Sequence, residues 1–359
     1  MSKHRVVIVG TGQSVNNHLQ ALKELHERVE LVAAVDIDAA RVAAFCAEQG
    51  IPNHYTSVGA MLAAEQPNLV CVVTPPATHK DISLECLEAG AWVYCEKPLC
   101  GSLADFDAIR DAQARTDRYV STVFQWRFGS AVKHLQQLMA SGALGKPLVA
   151  VCNTLWYRTQ DYYNVAWRGK YDTEFGGPTM TLGIHLMDLC LHLLGGWHEV
   201  QAMIGTLDRQ IQVEDVSMAL VRFQNGAMAT LINSALSPRQ ETHLRLDFQK
   251  ATVEVNALYR YSNEHWKFSL PPNTEDDALQ SLWNSLDQDF MGAHVQQLHE
   301  ILDALERNQP PPVSGDDARH IIEFTASLYK SAWLGRPVLY GEITPNDPFY
   351  YSNNGVSLP

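Results

Sequence analysis

The sequence predicts an α/β chain in two parts, a doubly wound parallel sheet followed by an α+β domain with a large, mostly antiparallel sheet. Three observations carry this. Short β-branched runs alternate with helical patterns up to about residue 124, which implies right-handed βαβ units. Later apolar runs follow one another through turn signals with no helix between them. At 359 residues the chain is also long for a single core.

The alternation is read element by element. Strands are expected at 5–9, 29–35, 69–73, 92–95 and 119–124, with helices at 18–27, 39–49, 81–89 and 103–115 between them. A helix over 130–139 stops at Ser141-Gly142, where glycine suits the left-handed C-terminal position. The second sheet is expected from alternating runs at 200–205, 216–223, 228–235, 243–248 and 251–255. Gln224-Asn225-Gly226 is a strong hairpin signal among them. Late helices at 289–306 and 316–334 flank a proline-rich break at 309–313. The domains follow as 1–124, 125–345 and an aromatic tail, 346–359, expected to pack on its own domain or on a neighbouring subunit.

Composition excludes some partners. Twenty-seven Lys and Arg against 40 Asp and Glu leave a net charge of −13, which repels nucleic acid and anionic membrane surfaces. No apolar run reaches the roughly 18 residues of a membrane span, and Val6 to Val9 is too short for a signal-peptide core, so a cytoplasmic protein is expected. Seven cysteines with no CxxC pattern fit reduced thiols better than a disulfide frame or a zinc site.

Gly10-Thr11-Gly12-Gln13-Ser14-Val15 lies between the first strand and the first helix. Glycines there let the backbone approach a pyrophosphate at the helix N-terminus, making Gly10, Gly12, Gln13 and Ser14 candidate cofactor contacts. Val15 occupies the third glycine position of this Rossmann fingerprint and is expected to hold helix and strand slightly apart. Asp36, at the end of the next strand, can accept both ribose hydroxyls of NAD and repels the 2′-phosphate of NADP. Arg41 nearby complicates that preference. The plainer alternative is a glycine turn with Asp36 as a solvated strand end. Thr74 and Pro75 end a third strand at the same carboxyl edge, where doubly wound folds bind ligands. His79 opens the next helix, a position that suits a surface or capping residue as well as a cofactor contact.

With these pieces in place, GTGQSVNNH, VVTPPATH, AGAWVYCEKPL, FQWRF at 124–128 and GGPTMTLGIHLMD at 176–188 occur in an order that resembles the glucose-fructose oxidoreductase, inositol dehydrogenase and rhizopine-catabolism family, written Gfo/Idh/MocA. The resemblance implies NAD(P)-dependent oxidation of a CH–OH group of a sugar or cyclic polyol. It implies a cis Lys97-Pro98 bond and assembly through the C-terminal sheet, hence a homodimer or homotetramer. Glu96 is then expected to orient Lys97 or the cofactor.

The chemistry of the residues agrees with these roles. An ammonium at Lys97 can hydrogen-bond a hydroxyl and stabilise the oxyanion that forms as hydride leaves carbon. Neutral His185 can accept the hydroxyl proton. Helical spacing puts Thr181, His185 and Asp188 on one face. In many family members an aspartate stands at the position of Thr181. Threonine cannot charge-balance the imidazole, so Asp188, a tyrosine or water is expected to substitute.

Between the motifs lies a stretch rich in aromatics and arginine, including Trp126, Arg127, Trp156, Tyr157, Trp167 and Arg168. Aromatic faces stack on the C–H faces of sugars, and guanidinium groups hold hydroxyls or carboxylates. Arg127, Tyr157, Trp167 and Arg168 are therefore substrate candidates together with Thr181 and Asp188. His185, Asp188 and His192 recur at metal-ligand spacing, but His192 lies among leucines and no cysteine completes a set, so no metal is expected. The sequence thus predicts an NAD-dependent sugar or polyol oxidoreductase. Two alternatives stay open: an NAD-dependent glycosidase using transient oxidation, and a non-catalytic dinucleotide-binding sensor.

Overall fold

The computed structural model describes residues 3–274 and 276–356. The chain forms two compact units, residues 1–123 with 294–322, and residues 124–293 with 323–359. Segment 294–322, read from the sequence as part of the second domain, lies with the first.

In the first unit the elements alternate as β1 (His4–Val9), α1 (Val15–Glu24), β2 (Val29–Val35), α2 (Ala39–Gln49), β3 (Asn53–Tyr55), α3 (Val58–Glu65), β4 (Leu69–Val72), α4 (His79–Glu88), β5 (Trp92–Cys95), α5 (Leu103–Thr116) and β6 (Val120–Thr122). The strands form one parallel sheet in the order β3-β2-β1-β4-β5-β6. Strand order reverses between β1 and β4, and such a switch point opens a crevice at the carboxyl edge. All four residues of β4 and of β5 are buried, as parallel strands covered on both faces require.

Val15 is 3% exposed and packs into the main core of this unit with Leu19 and Leu22. That core also takes in Leu298, Ile301 and Leu302 from the returning segment. Their spacing of three and four residues is an apolar helical stripe, and it explains why 294–322 joins this unit.

The second unit opens with a 3-10 turn at Gln125–Phe128 and α6 (Ser130–Ala140). There follow β7 (Pro147–Tyr157), α7 (Tyr171–Glu174), a π-helical turn at Thr179–Gly183 and α8 (Ile184–Leu194). Next come β8 (Trp197–Gly205), β9 (Val216–Phe223), β10 (Met228–Ser234), β11 (Leu236–Phe248), β12 (Thr252–Asn256), β13 (Trp266–Ser269) and α9 (Asp277–Asn284). The chain then enters α10 (His294–Arg307) and α11 (Gly315–Leu334), the latter up to Ile322 in the first unit, and closes with β14 (Val338–Leu339).

The eight-stranded sheet has the order β13-β12-β11-β7-β10-β9-β8-β14. Its pairs are antiparallel except β10 with β7. Along β9 burial alternates residue by residue, so one face is covered and the other open. The tail packs on its own unit through buried Phe349 and an Asn353 amide that donates to the Phe175 carbonyl.

Among the described residues no helix is long and apolar enough to cross a membrane. All seven cysteines are buried and unbridged.

Candidate functional site

In the first unit, candidate residues lie along the carboxyl edge of the parallel sheet. Gly10 leaves β1 with φ of +97°, and a Cβ there would meet the Val73 carbonyl oxygen at 2.6 Å, so only glycine fits this bend. A Cβ on Gly12 would meet nothing within 4 Å, which leaves its backbone open to a ligand. Gln13 and Ser14 are exposed, and Ser14 makes no side-chain capping bond to α1. The edge therefore has the features a pyrophosphate needs: an open glycine bend running into a helix N-terminus.

Asp36 is fixed from two sides. Its Oδ2 accepts from the Thr11 amide at 3.0 Å and the Thr11 hydroxyl at 2.7 Å, and its Oδ1 accepts from the Asp38 amide at 3.1 Å. Arg41 stands 3.2 Å from Oδ1. Burial opposes ionisation, but these hydrogen bonds and the guanidinium outweigh it and hold the carboxyl below its ordinary range. Asp36 is thus a braced anion at the carboxyl end of β2.

Lys97 follows β5 on a cis bond to Pro98, and the backbone around it is tied down. The Glu96 amide donates to the Val72 carbonyl at 2.9 Å, and the Lys97 amide donates to Glu96 Oε2 at 3.3 Å. Glu96 Oε1 is approached by His18 Nε2 at 3.1 Å and His294 Nε2 at 3.3 Å. Burial opposes charge on Glu96, yet the two imidazoles hold its carboxyl well below the usual carboxylate range.

His79 is not a surface residue. It is fully buried, with Nδ1 2.7 Å from the Pro98 carbonyl and Nε2 2.8 Å from the Thr74 carbonyl. Burial lowers its pKa, partly offset by the two carbonyls. So enclosed a ring meets no ligand itself. In place of the direct cofactor contact expected of it, it braces the Thr74-Pro75 and Lys97-Pro98 turns against each other.

In the second unit, candidate residues gather around α8. His185 is 3% exposed and packed among rings, with centroids 5.2 Å from Trp126, 6.1 Å from Tyr259 and 6.2 Å from Phe124. Thr181 lies in the π-helical turn ahead of the helix and donates its hydroxyl to the Gly177 carbonyl at 2.9 Å. The expected face of Thr181, His185 and Asp188 assumed α-helical spacing throughout, and the wider turn shifts Thr181 out of that phase. Both oxygens of Asp188, the residue expected to back His185, are engaged by the Arg127 guanidinium. His192 is 2.8 Å from the Gln136 amide nitrogen.

Arg168 is occupied within its own loop. It stacks on Tyr162 and Trp167 with its guanidinium carbon 3.9 and 4.3 Å from the ring centroids, and it pairs with buried Glu174 at 3.2 Å. Tyr157 is 41% exposed at the end of β7. Three residues of the two neighbourhoods escaped the sequence reading: His18, His294 and Tyr259. The GTGQSVNNH motif contains His18, but nothing local connects it to Glu96.

Comparison with known proteins accords with this architecture. Residues 4–124 match a family model described as an oxidoreductase family with an NAD-binding Rossmann fold, and residues 132–254 match the GFO/IDH/MocA C-terminal domain. The chain is 25% identical to D-apiose dehydrogenase of Paraburkholderia graminis over 94% of its length and 90% of that protein. It is 23% identical to myo-inositol 2-dehydrogenase of Thermotoga maritima, covering 94% of this chain and 99% of that one. Among solved structures, the WlbA dehydrogenase of Bordetella pertussis, in complex with NADH and UDP-GlcNAcA, superposes with a TM-score of 0.83 at 25% identity, covering 94% of this chain and 99% of the other.

Proposed function

The chain belongs to the Gfo/Idh/MocA family of oxidoreductases with an NAD-binding Rossmann domain, and on that premise we propose that it oxidises a secondary hydroxyl of a sugar or cyclic polyol, or reduces the corresponding ketone. The observation that carries the reading is the placement of Asp36 and Lys97. They follow β2 and β5, which are three strand spacings apart in the sheet order, or about 14 Å, and flank the β1/β4 switch point as the two ends of a dinucleotide require.

NAD, when bound, supplies the hydride acceptor. The chain's own residues handle charge and proton. Lys97 hydrogen-bonds the reacting hydroxyl and stabilises the oxyanion, and His185 exchanges its proton. Asp36 selects the ribose diol of NAD over the phosphate of NADP. Arg127 and Asp188 act as a buried pair on the substrate side, and Tyr157, Trp167, Arg168 and Thr181 supply substrate contacts. The names of the relatives, which include apiose, inositol and glucoside dehydrogenases, support a sugar or polyol as the substrate class. The protein works in the cytoplasm as a homodimer or homotetramer joined through the open face of its large sheet.

The test is a panel of free, phosphorylated and nucleotide-linked sugars and cyclic polyols assayed for NADH formation. At least one member is expected to support turnover, and Lys97→Ala is expected to lower kcat by about 100-fold or more. If no sugar or polyol reduces NAD, or if Lys97→Ala turns over like the wild type, the reading is wrong.

A further inference from the structure

We propose that His18 and His294 are positioning residues that hold the Glu96 carboxylate, and through it the backbone that presents Lys97. For its catalytic consequence this rests on the assignment of Lys97 above. The geometric claim stands on the first unit alone.

The carboxylate of Glu96 divides its two oxygens between two tasks. Oε1 faces both imidazoles, at 3.1 Å from His18 Nε2 and 3.3 Å from His294 Nε2, while Oε2 accepts from the Lys97 amide at 3.3 Å. The side chains of His18 and His294 are 1% and 6% exposed, and that of Glu96 is 14% exposed. The two imidazole rings meet edge-on, centroids 4.9 Å apart, and both contact the Tyr94 ring at 5.1 and 6.3 Å. A ring enclosed in this way has little freedom to swing off the carboxylate.

An ionised carboxylate only accepts hydrogen bonds, so each histidine must present an Nε2–H to it. Burial lowers the His18 pKa and so favours the neutral ring, and the carboxylate facing Nε2 selects the tautomer that carries its proton there. The two imidazoles stabilise the Glu96 anion, whose other oxygen holds the Lys97 amide. The strand end is held on its other side as well, by His79 against the Pro98 carbonyl. Positioning matters here because a displacement of about 1 Å in a catalytic group can lower a rate about 100-fold.

The same three side chains could be read as metal ligands, since their donor atoms lie within 4.8 Å of one another. The chemistry of His18 decides between the two readings. A metal-bound imidazole donates its second N–H to a neighbour, and His18 Nδ1 is buried with no protein partner among the described residues. Coordination through Nε2 would strand a buried donor at Nδ1. The Nε2–H tautomer leaves only a bare lone pair there.

The pattern was hidden from the sequence because His294 lies 198 residues from Glu96 and reaches it only through the return of α10 to the first unit. His18 lies on α1, the helix whose N-terminus faces the cofactor edge. The clamp therefore ties the cofactor helix, the lysine turn and the returning helix to one carboxylate.

The experiment labels the lysines by reductive ¹³C-dimethylation of the full-length protein and follows the Lys97 resonance, assigned by its loss in Lys97→Arg. His18→Leu and His294→Leu are expected to move this signal to the position of exposed lysines, and His18→Gln and His294→Gln, which retain a donor at the Nε2 position, are expected to restore it. With a substrate found in the panel, the Leu variants should lose about 100-fold in kcat at nearly unchanged KM for NAD, and the Gln variants should recover most of it. A Lys97 signal that stays put in both folded Leu variants overturns the clamp whatever Lys97 does in turnover. So does stoichiometric zinc in the purified protein, or a shift of the signal on treatment with a chelator. If instead the signal responds but Lys97→Ala keeps full activity, the clamp stands and the catalytic assignment of Lys97 falls. A variant that does not fold leaves its partner variant and the Gln pair to decide.

Discussion

Arg127 and Asp188 form a buried two-pronged pair, with Nε to Oδ2 at 2.7 Å and Nη2 to Oδ1 at 2.5 Å, their side chains 5% and 1% exposed. A guanidinium gripped in this way is held in place by two charge-assisted hydrogen bonds. Removing one member leaves the other as an uncompensated buried charge, so Asp188→Ala is expected to cost about 3–5 kcal/mol of unfolding free energy. The double variant Arg127→Met/Asp188→Leu should be more stable than either single variant. Urea unfolding of the four proteins in a double-mutant cycle gives the answer, and additive losses would show that the pair does not act as one unit.

On the proposed reading, cofactor choice turns on Asp36. Its carboxylate is already ionised and oriented by Thr11 and Asp38, so the ribose hydroxyls meet a preformed acceptor. Asp36→Ser should weaken NADH binding by about 10-fold or more and bring NADPH closer in affinity, because the repulsion is gone and Arg41 keeps only its pairing with Asp38. Fluorescence titration with both cofactors reads the ratio. An unchanged NADH-to-NADPH ratio would remove Asp36 from the specificity argument.

Much of this was legible in the sequence because it is local. The runs at 29–35, 39–49 and 92–95 became β2, α2 and β5 without a change of boundary. Missed elements had weak or misleading local signals. The three-residue β3 has no buried residue, α3 is apolar on more than one side, and the long β7 has its alternation masked by Cys152-Asn153-Thr154 and an aromatic end read only as pocket. The π-helical turn before α8 reflects tertiary packing. A Cβ on Gly183 would meet Asn233 Oδ1 at 1.8 Å, so the helix start and β10 approach closely there. No periodicity in the sequence announces that approach. The same holds for α10, whose apolar stripe fits any core. Only the fold shows that it packs beside α1 and carries His294 to Glu96.

Acid stability should depend on the Glu96 cluster. The folded Glu96 carboxyl titrates below its unfolded value and the folded His18 imidazole also titrates below its own. For both groups the unfolded state binds protons more readily. Their contribution is therefore complete above the unfolded pKa values of about 6.5 for His and about 4.3 for Glu, and it is lost as pH falls through the folded values. Wild-type unfolding free energy should drop more steeply on acidification than that of Glu96→Gln, which has no charge to neutralise. Parallel curves from chemical unfolding across that range would show that the cluster does not set the acid limb.

Glu214 should behave in the opposite sense. Its carboxyl is buried, and burial raises its pKa above the ordinary value even though the Gly177 and Thr179 amides and the Tyr329 hydroxyl donate to it. A raised carboxyl favours the folded state at low pH and gives that contribution up as pH rises through the folded value. Glu214→Gln is thus expected to lose least relative to wild type at neutral pH and most in acid. A stability difference that does not vary with pH would mean that Glu214 does not titrate between the folded and unfolded states.

The open face of the large sheet predicts an assembly. Met203, Met218, Leu220, Met228 and Val149 project from neighbouring strands β8, β9, β10 and β7, and are exposed by 69, 43, 60, 55 and 47%. The register puts Met203 opposite Met218 and Met228 opposite Val149, while Arg222 stands opposite Met228 and Thr230 opposite Leu220, so the exposed apolar side chains share one face with a few polar ones. Large apolar side chains gathered on one open sheet face are uncommon on a monomer, and the flexible thioethers suit packing against a second copy of the same face. Leu220→Lys places like charges opposite each other across a two-fold axis and should shift the protein to smaller species. Light scattering after size exclusion is expected to show a dimer or tetramer for the wild type and dissociation for the variant. A wild-type monomer, or a Leu220→Lys protein of unchanged mass, would rule this face out as the interface.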